Sequence, residues 1–305
     1  MTHFSKELLR YLACPDCQQP LELSDATLHC PHCRRNYNIQ DGIPLLYPRN
    51  LDQSHLQEET ELAELMHRHH SEKADYNAEQ WAQSKEDFWD MVEDQIPGRR
   101  CSMLYIGSGY DHAFERFQRQ GHLFINFDMI PEMLKQLRTS QAEVCIAGDM
   151  NALPFQNNRF DALIVIDVLH HESNHIHDLL KHFSEILVPG GRLFIEDINA
   201  WGLFQFYKSI LMPKPVYRFL RSFYHSMRHG HYPPAGYEFP TSYPQIRRLL
   251  KSLNYHSIQP HPTRGYPYLN RMNQMIYKQF SKLKPVPRYF NYHYMLSAVN
   301  ADPQA

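Results

Sequence analysis

Between residues 99 and 198, short apolar runs alternate regularly with helix-forming stretches, and this alternation constrains the fold more than any other feature of the chain. Strands are predicted at 103–106, 123–127, 143–147, 162–166 and 192–196, with helices near 113–119, 131–138 and 176–187. Such alternation implies right-handed crossovers and a mostly parallel sheet covered by helices on both faces, with ligands at the carboxyl ends of the strands. The first run enters a glycine turn, Ile106-Gly107-Ser108-Gly109, and the second ends on an acid, Asp128. A strand feeding a Gly-x-Gly turn lets backbone approach a ligand closely, and an acid about 20 residues on accepts two ribose hydroxyls. Residues 103–149 therefore read as a nucleoside-binding half-fold.

At 305 residues the chain is long enough for one full α/β domain and a smaller appendage. No apolar run approaches the roughly 18 residues of a membrane span. Charges stand where a signal peptide would be apolar, which places the protein in the cytoplasm. The net charge of -2 hides an asymmetry: residues 51–98 hold 3 Lys/Arg against 13 Asp/Glu, and residues 200–305 hold 14 against 2. The basic last third suggests an anionic partner or substrate, or docking on the acidic segment.

Four cysteines form two pairs, Cys14-Pro15-Asp16-Cys17 and Cys30-Pro31-His32-Cys33, separated by twelve residues. Two such turns facing each other make a closed tetrahedral zinc site; in a cytosolic chain metal is favoured over a pair of disulfides. With four protein ligands no position remains for a substrate water, so the zinc is expected to be structural. Cys101 and Cys145 fall at strand positions and read as buried structural residues. The surrounding pattern includes Leu8, Leu9, Leu12, Leu21, Leu28, Tyr37, Ile39, Asp41-Gly42-Ile43-Pro44 and Leu46. Over about residues 5–48 it resembles the zinc ribbon of the tRNA-methyltransferase-activator family, which occurs both as a free subunit and fused ahead of methyltransferase domains.

Residues 51–98 read as an acidic linker of about two helices, with Leu62, Leu65 and Met66 at helical spacing. Its histidines His67, His69 and His70 are expected to be solvated rather than metal-binding. Tyr76, Trp81, Phe88 and Trp89 are expected to pack it over the main domain, with partial cover of the cofactor cleft as a second expectation.

Five segments then agree in order and spacing: Ile106-Gly107-Ser108-Gly109; Phe127-Asp128-Met129; Gly148-Asp149-Met150 with Leu153-Pro154-Phe155; Phe160 through His171; and Leu187-Val188-Pro189-Gly190-Gly191-Arg192. Over residues 99–198 they resemble the class I S-adenosylmethionine-dependent methyltransferases. The resemblance implies a Rossmann-like, mostly parallel seven-stranded sheet preceded by the zinc ribbon. It implies that Gly107, Ser108 and Gly109 pass the methionine part of the cofactor, that Asp128 takes the ribose hydroxyls and that Met129 lies against adenine. Asp149 would accept from the adenine amino group, with Met150 beside it, and Asp167 would contact the methionine end or the substrate. Two positions depart from the family pattern: Tyr105 replaces an acid and Asp111 a glycine. Asp111 offers a partner for the cofactor's ammonium group. A nicotinamide dehydrogenase, the competing reading, would need a third glycine and would not predict the Gly148-Asp149 or Pro189-Gly190-Gly191 segments.

No Asn/Asp-Pro-Pro-Tyr/Phe segment follows the fourth strand, which argues against the commonest exocyclic-amine and adenine methylases. The strand ends Asp167-Val168-Leu169-His170-His171 instead, and His171, ahead of His170, is the candidate general base, with a loop-supporting role as the alternative. Domain bounds of 1–50, 51–98 and 99–305 follow, with insertions at about 201–240 and 264–287. Two final antiparallel strands are expected around 256–260 and 289–299, after a capped helix at 241–255. The 201–240 insertion interleaves aromatic and basic residues and has three readings: a lid over the pocket, a surface for peripheral contact with a membrane or lipid-linked acceptor, or a nucleic-acid grip. Three functions stay open: a methyltransferase of a small or lipid-linked metabolite, an RNA methyltransferase, and a non-catalytic cofactor-binding protein. The acceptor atom and oligomeric state are not legible.

Overall fold

The computed structural model describes residues 6–24, 27–54, 56–57, 59–61, 77–109, 111–137, 144–171, 175–202, 239–261 and 293–301. Strands β1 (Glu22–Ser24), β2 (Thr27–His29), β3 (Asn36–Gln40) and β4 (Ile43–Leu46) build the N-terminal ribbon. After helix α1 (Asn77–Gln95) come β5 (Ser102–Ile106), α2 (Phe114–Arg119), β6 (Leu123–Asp128), α3 (Pro131–Leu137), β7 (Val144–Gly148) and β8 (Phe160–Ile166). Then follow α4 (Ile176–Ile186), β9 (Leu187–Ile198), α5 (Tyr243–Ser252), β10 (His256–His261) and β11 (His293–Val299). The sheet order is β1-β2-β3-β4-β7-β6-β5-β8-β9-β11-β10. Its last seven strands form the expected Rossmann-like unit, with the order reversing between β5 and β8, the point at which open α/β sheets bind ligands. The two closing strands are antiparallel to each other, as expected, and of the last seven strands only β11 runs against the parallel direction. It alone is reversed because β10 enters from α5 and β11 returns between β10 and β9.

The two faces of the sheet carry different apolar layers, as alternating side chains require. Leu104, Ile106, Ile125, Phe127, Leu163, Val165, Leu193 and Ile195 point into one layer, beneath α4 and α5. Helix α4 buries Ile176, Leu179, Leu180, Phe183 and Ile186, the spacing of one helical stripe. Helix α5 starts where the Ser242 side chain accepts the Gln245 N–H, with Pro244 in the first turn, and buries Tyr243, Ile246 and Leu250. Met103, Tyr105, Phe124, Ala162, Ile164, Ile166 and Phe194 point into the opposite layer.

That second layer is closed by α1, whose Phe88, Trp89 and Val92 are buried, as expected for Phe88 and Trp89; Tyr76, the Trp81 side chain and the histidines of the linker lie outside the described residues. Trp89 meets Tyr105 at 5.2 Å, Phe88 at 5.4 Å and Phe117 at 5.7 Å, each near edge-on. The acids of α1 find partners on α2: Arg116 reaches Asp90 and Glu93 at 2.8 Å each and Glu86 at 3.5 Å. Trp89→Ala should cost about 3–5 kcal/mol of stability by opening a cavity among these rings; denaturant unfolding that shows a loss below about 1 kcal/mol would mean that α1 is not part of the cooperative core.

The ribbon is not a detached module. β4 pairs parallel with β7 through Leu45↔Ala147 and Leu46↔Gly148, so its strands continue the main sheet. Leu8, Tyr11, Leu12, Leu21, Leu28, Tyr37 and Leu46 share one apolar cluster with Phe155, Phe160 and Leu163. Backbone bonds from Ala13 N–H to Pro154 O and from Gln156 N–H to Tyr11 O, both 2.8 Å, lock the seam. The insertions at 201–240 and 264–287 fall almost wholly outside the described residues.

Candidate functional site

Cys14 and Cys33 bring their Sγ atoms to 3.5 Å, as do Cys17 and Cys30, and all four sulfurs lie within 4.8 Å of one another. Tetrahedral zinc with Zn–S near 2.3 Å separates its sulfurs by about 3.8 Å, so the quartet fits that ion, whereas a disulfide requires about 2.05 Å. The Tyr37 hydroxyl, 3.0 Å from Cys14 Sγ, and Asp16, paired with Arg35 at 2.6 Å, surround the sulfurs. Cys101 and Cys145 are buried, as expected for structural residues.

The nucleoside cradle forms at the carboxyl ends of β5, β6 and β7. Gly107 and Gly109 have φ of 70° and 51°, conformations that favour glycine. The Gly107 and Ser108 N–H groups both donate to Phe127 O, at 2.8 and 3.2 Å, tying the turn to β6. Asp128 is buried; Oδ2 accepts the Gly109 N–H at 2.9 Å and Oδ1 the Ile130 N–H at 3.0 Å. Burial pushes this carboxyl above its ordinary range, against the lowering effect of those backbone donors. A carboxylate oxygen has two lone pairs, so each can take a ribose hydroxyl in addition. The buried Ser108 Oγ has no hydrogen-bond partner among the described residues, and the side of Gly109 on which a Cβ would stand is open. Both features suit a polar ligand lying over the turn. Asp149 caps the short 3-10 turn Met150–Ala152 by accepting the Asn151 N–H at 2.8 Å, which sets its carboxylate at the end of β7. Met129 and Met150 are half-buried on either side.

The ribbon supplies part of this wall: the Tyr47 hydroxyl donates to Met129 O at 2.8 Å, and Gln18 Nε2 donates to Leu153 O at 3.1 Å. Helix α1 supplies Lys85, whose Nζ is 3.2 Å from Asp111 Oδ2; the Tyr105 hydroxyl donates to the same oxygen at 3.3 Å. The two departures from the family pattern thus meet each other, and the cation on Asp111 comes from the chain itself. Lys85 also gives physical content to the expected cover of the cleft by the linker.

Beside the cradle lies a second, denser group. Val168 packs on Gly107, and on either side of it Asp167 and His170 reach toward the ends of β9 and β11. His170 Nδ1 is 2.6 Å from Asp197 Oδ1, with both side chains buried. His293 Nε2 is 3.1 Å from Asp167 Oδ1, and its Nδ1 is 3.7 Å from Glu196 Oε1. Burial disfavours the His293 cation, but the charge of Asp167 and contacts with Glu196 outweigh it and hold the imidazole up at about 9. Burial pushes Glu196 up to about 7; the same burial acts on Asp167, where His293 prevails and draws the carboxyl down to about 2. His171 takes no part in these ion pairs; it is half-buried, with its ring 4.3 Å from that of His170 and Nδ1 3.5 Å from Glu59. The structure therefore brings His170, not His171, onto a buried carboxylate.

Of the residues predicted from sequence, Gly107, Ser108, Gly109, Asp128, Met129, Asp149 and Met150 line one cradle, and Asp111 and Asp167 flank it. Sequence reasoning missed Tyr47, Lys85, Glu196, Asp197 and His293 as site residues. Glu196 and Asp197 carried a signal, two acids closing an apolar strand; Lys85 and His293 carried none, because each arrives from a distant segment.

Residues 104–195 match the family described as a methyltransferase domain, and residues 5–42 the family described as Trm112p-like protein. The chain is 30% identical over 106 residues to the probable tRNA methyltransferase 9B of Bos taurus, covering 34% of this chain and 22% of that one. It is 30% identical over 118 residues to the ubiquinone biosynthesis O-methyltransferase of Xylella fastidiosa, covering 36% and 47%. It thus spans less than half the length of either curated relative. A complex of the Trm112 methyltransferase activator and a methyltransferase from Haloferax volcanii aligns over 74% of this chain and 96% of that chain, at 14% identity and a TM-score of 0.49.

Proposed function

We propose, for a chain that carries an S-adenosylmethionine-dependent methyltransferase domain behind a Trm112p-like domain with a four-cysteine zinc site, that it methylates a small or lipid-linked metabolite. The observation that carries this reading is the polar group of Asp167, His170, Glu196, Asp197 and His293, buried except for the partly exposed Asp167, one residue away from the glycine turn through Val168. A water-poor polar corner beside the donor suits one small reacting group, held about 3 Å from the methyl. When bound, S-adenosylmethionine supplies an electrophilic methyl on a sulfonium. Asp128 holds the ribose, Asp149 and Met150 receive the adenine, and Ser108 Oγ finds its partner on the ligand. His171 is the proposed proton acceptor for a hydroxyl acceptor, with Glu59 beside it to stabilise the imidazolium. The reading places the protein in the cytoplasm, where the cysteine ligands stay reduced. Among the described residues no helix is long and apolar enough to cross a membrane.

A second reading, methylation of RNA, is supported by the similarity to a probable tRNA methyltransferase and by the basic block at residues 200–305. Against it stand the 13 acids of residues 51–98, of which Glu86, Asp90 and Glu93 on α1 pair with Arg116 of α2.

Incubating the protein and methyl-labelled S-adenosylmethionine with extracts separated into RNA, lipid and small-molecule fractions discriminates the readings. Label is expected in the lipid or small-molecule fraction; label in RNA alone would replace the proposal with the second reading. No label from a protein that binds the cofactor by calorimetry would favour a non-catalytic role. On the labelled acceptor, His171→Ala should lower turnover about 100-fold and leave cofactor affinity within about twofold; unchanged turnover removes His171 from the mechanism.

A further inference from the structure

The polar corner gathers four carboxylates. Asp111 pairs with Lys85, Asp167 and Glu196 lie on either side of His293, and Asp197 is held by His170. Buried carboxylates are costly unless they are paired, hydrogen-bonded or coordinate a metal.

Within the group, Asp167, His170 and Asp197 each bring one potential ligand atom to within 4.8 Å of the others. Asp197 is fully buried; Oδ1 is engaged by His170 and by the Ile198 N–H at 2.7 Å, whereas Oδ2 has no hydrogen-bond partner among the described residues. A fully buried carboxylate oxygen without a donor is an observation, independent of the clustering, that points to a bound ligand. We propose that Asp167, His170 and Asp197 form a second metal site, distinct from the four cysteines, which binds a divalent cation of the Mg2+ or Mn2+ class. Two carboxylates and one imidazole are oxygen-rich ligands of the kind that suit these ions rather than a thiolate-loving one. An ion about 2.1 Å from each ligand in octahedral geometry sets adjacent ligand atoms about 3 Å apart, and the three atoms here lie within 4.8 Å of one another.

Three protein ligands leave coordination positions open toward the glycine turn, where Val168 separates the site from Gly107. There the ion would polarise and orient an oxygen of the acceptor. That role rests on the proposed methyl transfer; the existence of the site does not, and it is tested without turnover. Full-length protein with its cysteine site filled by zinc is titrated with Mn2+ alone, free Mn2+ being followed by electron paramagnetic resonance, with and without S-adenosylhomocysteine. One Mn2+ per chain is expected in at least one of the two conditions. Asp197→Asn and, separately, Asp167→Asn should each weaken it at least tenfold, whereas Glu115→Gln, an exposed acid, should leave it unchanged. Thermal unfolding and calorimetric binding of S-adenosylhomocysteine report whether each variant is folded. Absence of stoichiometric Mn2+ binding in both conditions, or binding that survives either substitution in a folded variant, overturns the site. Should Asp197→Asn fail to fold, Asp167→Asn decides alone, because Asp167 lies at the strand end with its side chain partly exposed.

Discussion

Removing zinc from the four-cysteine site is expected to unfold residues 6–47 and, with them, to lower the affinity for S-adenosylmethionine by at least tenfold. The first half follows from size. A segment of about 40 residues buries too little apolar surface to fold alone, and structural zinc contributes roughly 10–16 kcal/mol of apparent binding free energy in such small domains. Here that free energy is transmitted beyond the ribbon, because the metal holds Cys14 and Cys17 on one turn and Cys30 and Cys33 on the other. The same segment then leads into β4 and its pairing with β7. Loss of that pairing exposes the edge of β7 just before Asp149. It also frees Met129 O from Tyr47 and Leu153 O from Gln18, on the wall of the cradle. Chelation, or Cys30→Ser, should therefore reduce β-sheet circular dichroism only modestly while cofactor binding by calorimetry falls steeply. Full cofactor affinity in the metal-free protein would show that the ribbon and the cradle are energetically independent.

The coupling between ribbon and cradle was not legible in the sequence, although its two halves were. The cysteine spacing defines the metal site locally, and the strand-turn-helix rhythm defines the sheet. Pairing of Leu45 with Ala147 joins positions about 100 residues apart, and an apolar dipeptide carries no mark of the strand it will select. The same holds for α1. Its acids read only as an acidic linker, yet Arg116 gathers three of them, and Lys85, one cation in an acidic segment, is placed on Asp111.

The cradle itself was readable because glycines and acids at strand ends are chemically conspicuous and local. The choice between His170 and His171 was not. The two rings lie side by side on a short 3-10 turn, 4.3 Å apart, and only the arrival of Asp197 from β9 makes His170 the buried, carboxylate-held one. His293 escaped for the reason that Lys85 did: its partners Asp167 and Glu196 lie on other strands, and within its own segment it reads as one more position of the closing strand.

The two glycines of the turn should respond differently to the same substitution, and the difference locates the cofactor. A Cβ at Gly107 would stand 1.9 Å from Val168 Cγ2 and 3.3 Å from Val168 Cβ, at a φ of 70°. The positive φ alone costs about 1–2 kcal/mol for an alanine. The overlap is the larger effect, because Val168 is stiff at χ1 and fixed between Asp167 and Leu169. Its displacement would carry Asp167 and the His170 turn with it. Gly107→Ala is therefore expected to lose cofactor binding altogether and about 2–3 kcal/mol of stability, an overpacking penalty of ordinary size. At Gly109 the φ is 51° and, among the described residues beyond its chain neighbours, no atom lies within 4 Å of the added Cβ, so the backbone penalty is the one expected in the free protein. If the ligand lies over the turn, the alanine methyl occupies the space it needs. Gly109→Ala should then unfold within a few degrees of the parent while S-adenosylhomocysteine affinity falls at least tenfold. Parent-like affinity in Gly109→Ala, measured by calorimetry on protein of parent-like stability, would mean that the cofactor does not cross the open side of the turn, and would return Asp128 and Ser108 Oγ to purely structural roles.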